Sequence, residues 1–446
     1  MAVAAALRVV ALPLPGTSDV ELFRDWAYHA AAGNVTEIYG VGGWPPVRNL
    51  DANVDYPPVA VYHLAVAGRL HQILFPDPSD RTGLTIVIKS LIMVGNGLLT
   101  VLIWWFVKRR DGVERARVAA ALYWANPAVI LGGAVLGYIG VIAFLPAVGA
   151  LVCAVAGRAR LSGALLAIAC LTKPQGVFVA PAVLLALAPN RTLTGRRLTA
   201  ALVSAAATGG VIVAPFLLTG SFGNMSRAVG ALVTDGLVSG NAANLWWIVS
   251  FLVQAGHRLD PTGLAQSPDL VRIFSLAELF AFGPAVAQRS AGTLAITAVS
   301  WMPVLAVVAW AARRIRDTDD AGAFFALTAL TVHAYFVLAV QVHENHMSFA
   351  LPALAVVAAE RVAYRRLLLV LSAVVALNLN LFAGFGSDIG FALPRSITSI
   401  DATVVLAIVN VAALVGHVRL FARQWEPARR PAVSRPSGAS TRRAIT

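Results

Sequence analysis

Apolar runs of about 20 residues, long enough to cross the hydrocarbon core of a bilayer, recur from about residue 84 to about residue 421, and the polar breaks between them are mostly short. The pattern predicts helices near 84–107, 117–132, 137–156, 198–218, 293–312, 321–340, 346–359, 367–383 and 402–421. A broken pair, about 161–172 and 174–189, goes out and back through Thr172-Lys173-Pro174-Gln175. The region 243–292 reads as one membrane hairpin or as two shallow helices, with an outer loop around His257 to Asp269. The expected fold class is all-α and polytopic, with about 10–12 spans. Two stretches stay polar outside the helices: residues 15 to about 83, which hold eight of the 22 acidic residues, and a second loop over about 219–242.

Composition agrees with that pattern. Hydrophobic residues make up 58% of the 446-residue chain and charged residues 13%, with a mean hydropathy of +0.74, against about 25% charged in soluble proteins. A soluble enzyme with one anchor, a secreted disulfide scaffold and a disordered chain are all excluded. Cys153 and Cys170 both sit inside apolar runs, where a thiol behaves as a small hydrophobe.

The net charge of +13 has a topological origin, because 23 of the 35 Lys and Arg residues fall in six clusters between apolar runs. These are Lys108 to Arg117, Arg158 and Arg160, Arg191 to Arg197, Arg313 to Arg316, Arg361 to Arg366, and the tail from Arg419 onward. Positive residues in short loops mark the cytoplasmic side, so no nucleic-acid partner is expected. Residues 1–422 read as one membrane domain, with 15–83 as its first extracytoplasmic loop. Residues 423–446, rich in Arg, Pro, Ser and Ala, read as a disordered basic tail near anionic headgroups. The stretch Ala2 to Leu14 is too short to span, so it reads either as a clipped first helix or as following a true start further upstream. The Ala-, Arg- and Gly-rich composition points to a bacterial inner membrane.

Four places carry candidate chemistry. Asp19 stands where the apolar entry meets water, a setting in which a carboxylate is partly desolvated and tuned as a general base; the plainer reading is an N-cap for a helix beginning near Val20. Asp55-Tyr56-Pro57-Pro58 stiffens the chain ahead of a helix, Val59 to Phe75, expected to lie at the interface. Lys173 interrupts an apolar stretch, where an unpaired cation costs roughly 2.5 kcal/mol or more, and Pro174 breaks the helix beside it; snorkelling to the headgroups is the competing reading. Gln341-Val342-His343-Glu344-Asn345-His346 has its two histidines three apart rather than four, so it is not a zinc-peptidase helix. Its imidazoles and amide suit a phosphate, or an ordinary polar turn.

In this order, Asp19, Asp55 to Tyr62 (Asp-Tyr-Pro-Pro-x-x-x-Tyr), Lys173 before Pro174-Gln175, Asn241 to Trp246 (Asn-x-x-Asn-Leu-Trp) and Val342-His343-Glu344 resemble the GT-C class of glycosyltransferases. The likeness is nearest to the dolichyl-phosphate-glucose-dependent glucosyltransferases that extend the N-glycan precursor and to their bacterial polyprenyl-phosphate-sugar relatives. It implies transfer of a hexose or pentose from a polyprenyl-phosphate donor to a lipid-linked or glycan acceptor hydroxyl, with inversion, on the non-cytoplasmic face. By the same likeness Asp19 is the base. Lys173, His343 and Glu344 face the donor phosphate, Asp55 and Tyr56 shape the outer site, and Gln175, Asn244, Trp246 and His346 complete the substrate-binding set. One carboxylate suffices because a phosphomonoester, with a second pKa of about 6, leaves as an anion without a general acid.

The turn Gly137-Tyr138-Ile139-Gly140 lacks the polar or acidic residues many relatives carry there, and Asn345 stands where eukaryotic relatives tend to have lysine. No Asp-x-Asp pair sits in the first loop, so neither a metal nor another cofactor is expected. The main rival is a transporter or flippase of a lipid-linked sugar, which would use the same buried lysine and broken helix. It requires coupling-ion carboxylates at the midplane, where the sequence has almost none, and often repeated halves, of which the motif spacing gives no sign.

Overall fold

The computed structural model describes residues 1–33, 35–39, 54–77, 79–188, 195–233, 236–257, 291–386, 393, 396–397 and 400–425. From the N-terminus come α1 (Ala2–Ala11), α2 (Ser18–Ala32), α3 (Pro58–Leu74), α4 (Arg81–Asp111), α5 (Val113–Trp124) and a short α6 (Pro127–Val129) that continues as a π-helical turn, Ile130–Val135. Next are α7 (Gly140–Val155), α8 (Ala159–Thr172), a 3-10 turn (Pro174–Val179), α9 (Ala180–Leu187), α10 (Arg196–Leu218), α11 (Phe222–Val233) and α12 (Leu245–His257). The chain ends with α13 (Ala291–Ile315), α14 (Ala321–Leu338), a 3-10 turn (His346–Phe349) leading into α15 (Ala350–Glu360), α16 (Val362–Ala383) and α17 (Ala402–Gln424). Strand pairing among the described residues amounts to a two-residue antiparallel ladder, Ser396–Ile397 with Ile400–Asp401.

Among the described residues six helices are long and apolar enough to cross a membrane: α4, α10, the 295–315 part of α13, α14, α16 and α17. The pair α5 and Pro127–Val135 adds a seventh if taken as one bent span, and five further apolar helices run 10–17 residues. The protein is an all-α integral membrane protein. The spans differ sharply in burial. α14, apolar on every side, has 94% of its span inside the molecule, whereas α10 has 11% and the α13 span 17%. A helix that is hydrophobic all round belongs at the centre of a bundle or in lipid, and here the first describes α14 and the second α10.

The helix breaks follow local chemistry. The 46° bend between α5 and Pro127–Val135 falls at Asn126-Pro127, where the proline has no N–H to give and the Asn126 Oδ1 accepts from Ala128 N at 3.0 Å. α8 ends at Thr172 because Pro174 forces its predecessor out of the helical region: Lys173 has φ −152° and ψ 132°.

One end of the bundle is closed by ions. The Arg110 guanidinium meets Glu360 and lies 3.6 Å from Asp320; Arg361 reaches Asp320 at 2.6 Å, and the Trp425 indole donates to Asp320 at 3.2 Å. Because α4 ends and α14 begins here, chain direction places the 339–346 segment at the opposite end.

Several sequence expectations change. The 219–242 loop contains a helix, α11. The membrane domain continues past residue 422, since α17 runs to Gln424 and Trp425 packs against Tyr364 and Phe421. Only Leu245–His257 of the 243–292 region is described as helix before residue 291; the loop expected near His257 to Asp269, apart from His257 itself, and the tail from residue 426 lie outside the described residues.

Candidate active site

Asp19 is seated by a close crossing of two chain segments. Gly16 (φ 82°) and Gly137 (φ 79°) both adopt left-handed backbone that glycine tolerates best. A Cβ on Gly137 would stand 2.4 Å from Val20 Cγ2, and one on Gly16 2.9 Å from Leu136 O. Without side chains at these two positions, Thr17 N can donate to Leu136 O at 3.1 Å. The N-cap of α2 is Thr17, so Asp19 sits inside the first turn and does not cap it.

Beneath this crossing, the fully buried Lys89 of α4 donates to Leu14 O and, at 2.7 Å, to Val135 O, with Ala11 O at 3.4 Å. Its ammonium thus gathers carbonyls left over at the ends of two helical segments. An unpaired lysine at that depth would be costly; here three acceptors compensate it. Nothing in the one-dimensional pattern marked Lys89, because its partners lie 46 to 78 residues away.

The segment after α14 is held by backbone pairing with the 238–242 segment: Gly240 N to Val342 O at 2.8 Å and Glu344 N to Gly240 O at 3.0 Å. The His343 ring covers Gly240, where a Cβ would come within 2.5 Å of Nδ1. The Tyr335 hydroxyl at 3.0 Å and the His343 N–H at 3.3 Å both reach His346 Nδ1, and Gln175 approaches its Nε2 at 3.0 Å.

The charged side chains converge on this frame. Lys173, on the break between α8 and the 3-10 turn, is buried, donates to Asn345 Oδ1 at 3.2 Å and lies 5.5 Å above the Tyr56 ring. Asn345 in turn donates to Glu344 Oε1 at 3.2 Å, and Tyr138 OH donates to the same oxygen at 2.7 Å. Tyr56 is fixed edge-on against Phe23 and tilted against Trp26, both at 5.7 Å, and its carbonyl accepts from Tyr39 OH. Asp19 sits in the fields of Glu344, Lys173, His343 and Asp55. Burial, then the like charge of Glu344, pushes its carboxyl up to about 6, against the opposing pull of Lys173. The Tyr56 and Tyr138 phenols are held well above their usual range, first by burial and then by neighbouring carboxylates.

Asp19, Asp55, Tyr56, Lys173, Gln175, His343, Glu344 and His346 therefore belong to one connected neighbourhood. Asn244 and Trp246 are tied elsewhere: Asn244 Oδ1 caps α12 through Trp247 N at 3.0 Å, and the Trp246 indole donates to Leu338 O at 2.8 Å. Both pin the loop that backs the 340–344 segment. The Gly137–Gly140 turn, which looked devoid of polar function, supplies the Tyr138 hydroxyl, and Asn345 links the acidic and basic members. Among the described residues no group of three or more His, Cys, Asp or Glu is arranged to hold a metal ion. The arrangement offers a partly desolvated carboxylate able to take a proton near neutral pH, beside a buried ammonium able to meet an anion.

No protein-family model matches the chain, and no curated protein matches it either. Solved structures that resemble it include ArnT from Cupriavidus metallidurans bound to undecaprenyl phosphate, at 16% identity over 95% of this chain and 71% of that one, with a TM-score of 0.49. The Archaeoglobus fulgidus oligosaccharyltransferase tethered with an acceptor peptide matches at 14% identity over 95% of this chain and 54% of that one, with a TM-score of 0.41. Its apo form gives 14%, 96%, 56% and 0.42. At TM-scores below 0.5 these are likenesses and no more, and what the site does has to follow from its own residues.

Proposed function

We propose that the protein is a membrane glycosyltransferase of the GT-C class that moves a hexose or pentose from a polyprenyl-phosphate carrier to an acceptor hydroxyl, with inversion, on the non-cytoplasmic face. The observation that carries this reading is the meeting of Asp19 with Lys173 and the His343–Asn345 segment, which come from three distant parts of the chain, at the end of the bundle opposite the basic turns. Asp19 takes the proton of the acceptor hydroxyl as its oxygen attacks the anomeric carbon. The bond from that carbon to the carrier phosphate breaks, and the electron pair leaves with the polyprenyl monophosphate. Lys173 stabilises the phosphate in place of a general acid, and the prenyl chain stays in the bilayer while its headgroup reaches the site. A carrier-linked donor fits a site built between apolar helices better than a free nucleotide sugar would.

Incubating proteoliposomes of wild type and Asp19→Asn with radiolabelled undecaprenyl-phosphate mannose, glucose and arabinose, with a membrane lipid extract as acceptor source, tests the reading. Transfer by wild type alone is the expected result. Equal transfer by both proteins overturns the role of Asp19, and movement of the intact lipid-linked sugar across the bilayer without transfer would install the transporter instead.

A further inference from the structure

Tyr138 does more than fill a turn. Its hydroxyl donates to Glu344 Oε1 at 2.7 Å, and the same oxygen receives the Asn345 amide at 3.2 Å. Its backbone is fixed independently, by Tyr138 N to Gly132 O at 2.9 Å and by the preceding Gly137, whose left-handed backbone lies against Val20, the residue after Asp19. One turn therefore seats the first turn of α2 and grips Glu344 at the same time. The two acidic groups differ in what holds them. Glu344 has two neutral donors on one oxygen, whereas no described residue donates a hydrogen bond to the Asp19 carboxylate. The neighbouring like charge of Glu344 favours protonation of Asp19. Lys173 faces both carboxylates, His343 and Asp55 face Asp19, and Tyr56 and Tyr138 lie beside both.

We propose that Tyr138 is a positioning residue that holds the Glu344 carboxyl beside Asp19, so that Asp19 is the group that accepts the proton. This rests on the transferase reading above. In Tyr138→Phe Glu344 loses this hold and its like charge bears less on Asp19; Asp19 then stays ionised to lower pH but is a weaker base.

Initial transfer rates across pH 5 to 8.5, with the same labelled undecaprenyl-phosphate sugars, read this directly. Tyr138→Phe is expected to lower the plateau rate about two- to threefold, as Brønsted behaviour implies for a slightly weakened base, and to move the acid limb down by about half a unit. Glu344→Gln is expected to move the limb the same way, and the double variant to match Glu344→Gln alone. A uniform fall in rate with the limb unmoved, or additive effects in the double variant, would overturn the proposal while leaving the transferase reading in place. Infrared titration of the protonated carboxyl band, assigned by its absence in Asp19→Asn, needs no turnover. A band that titrates at the same pH in wild type and Tyr138→Phe overturns the proposal even if wild type transfers none of the probes, a result that would by itself sink the transferase reading.

Discussion

At the scale of single residues, the site holds a carboxyl whose charged form burial disfavours. Asp19 has its carboxyl raised from 3.8 to about 6, chiefly by burial. A folded state that binds the proton more tightly than the unfolded chain loses stability as pH rises across that window. Asp19→Asn removes the loss. It is expected to cut transfer by about 10²–10⁴-fold, the range for a general base, while raising the melting temperature at pH 7 by an amount that reflects at most about 3 kcal/mol. The wild-type rate should fall as pH drops through about 6, as a pH–rate profile would record. Lys173→Gln keeps a polar group but loses the cation. Its effect should be a loss of at least about tenfold in kcat/KM for the donor, the order expected when one charge-assisted contact is removed. The candidate base was legible in the sequence because a carboxylate at an apolar boundary is unusual. Tyr138 was not, because a tyrosine in an apolar turn becomes polar function only when another segment delivers a carboxylate to it.

At the scale of elements, glycine and lysine do the positioning. Gly16 and Gly137 let the α2 entry and the π-helical turn touch at backbone distance, and Lys89 ties the carbonyls beneath them. Lys89→Met leaves those carbonyls without a donor, at about 1–3 kcal/mol for each buried unsatisfied group. The variant should unfold at clearly lower temperature in a detergent melt, and its residual transfer should be reduced through misplacement of Asp19. The breaks at Asn126-Pro127 and Lys173-Pro174 were readable from proline chemistry alone. The helix α11 was not, since the 219–242 stretch is polar enough to pass for a loop and only three residues separate its helix from Leu218.

At the scale of the molecule, the basic turns and the site lie at opposite ends. The ion cluster of Arg110, Asp320, Glu360 and Arg361 joins five helices at one end, and the carboxylates of the site gather at the other. If the basic end is cytoplasmic, as positive residues in short loops imply, a cysteine at exposed Ser226 on α11 should react with a membrane-impermeant maleimide from outside intact cells. One at exposed Glu114 should react only after permeabilisation, both in a background without Cys153 and Cys170. The reverse labelling would put the site in the cytoplasm and remove the lipid-linked donor from the face proposed for it.

The sequence by itself determined the class, the helix order and the side on which each loop is expected, because span length, charge bias and proline breaks are local properties of the chain. It also marked Asp19, Lys173 and the His343–His346 segment, since charge inside or beside apolar runs is rare. The tertiary structure alone decided which of those residues meet. Asn244 and Trp246 share the pattern of the site but bond to α12 and Leu338, whereas Lys89 and Tyr138, unremarkable in the chain, join Asn345 to complete the hydrogen-bonded frame around Asp19. The reason is that such partners are 46 to 206 residues apart, and no local pattern encodes a contact closed only by packing of the whole bundle.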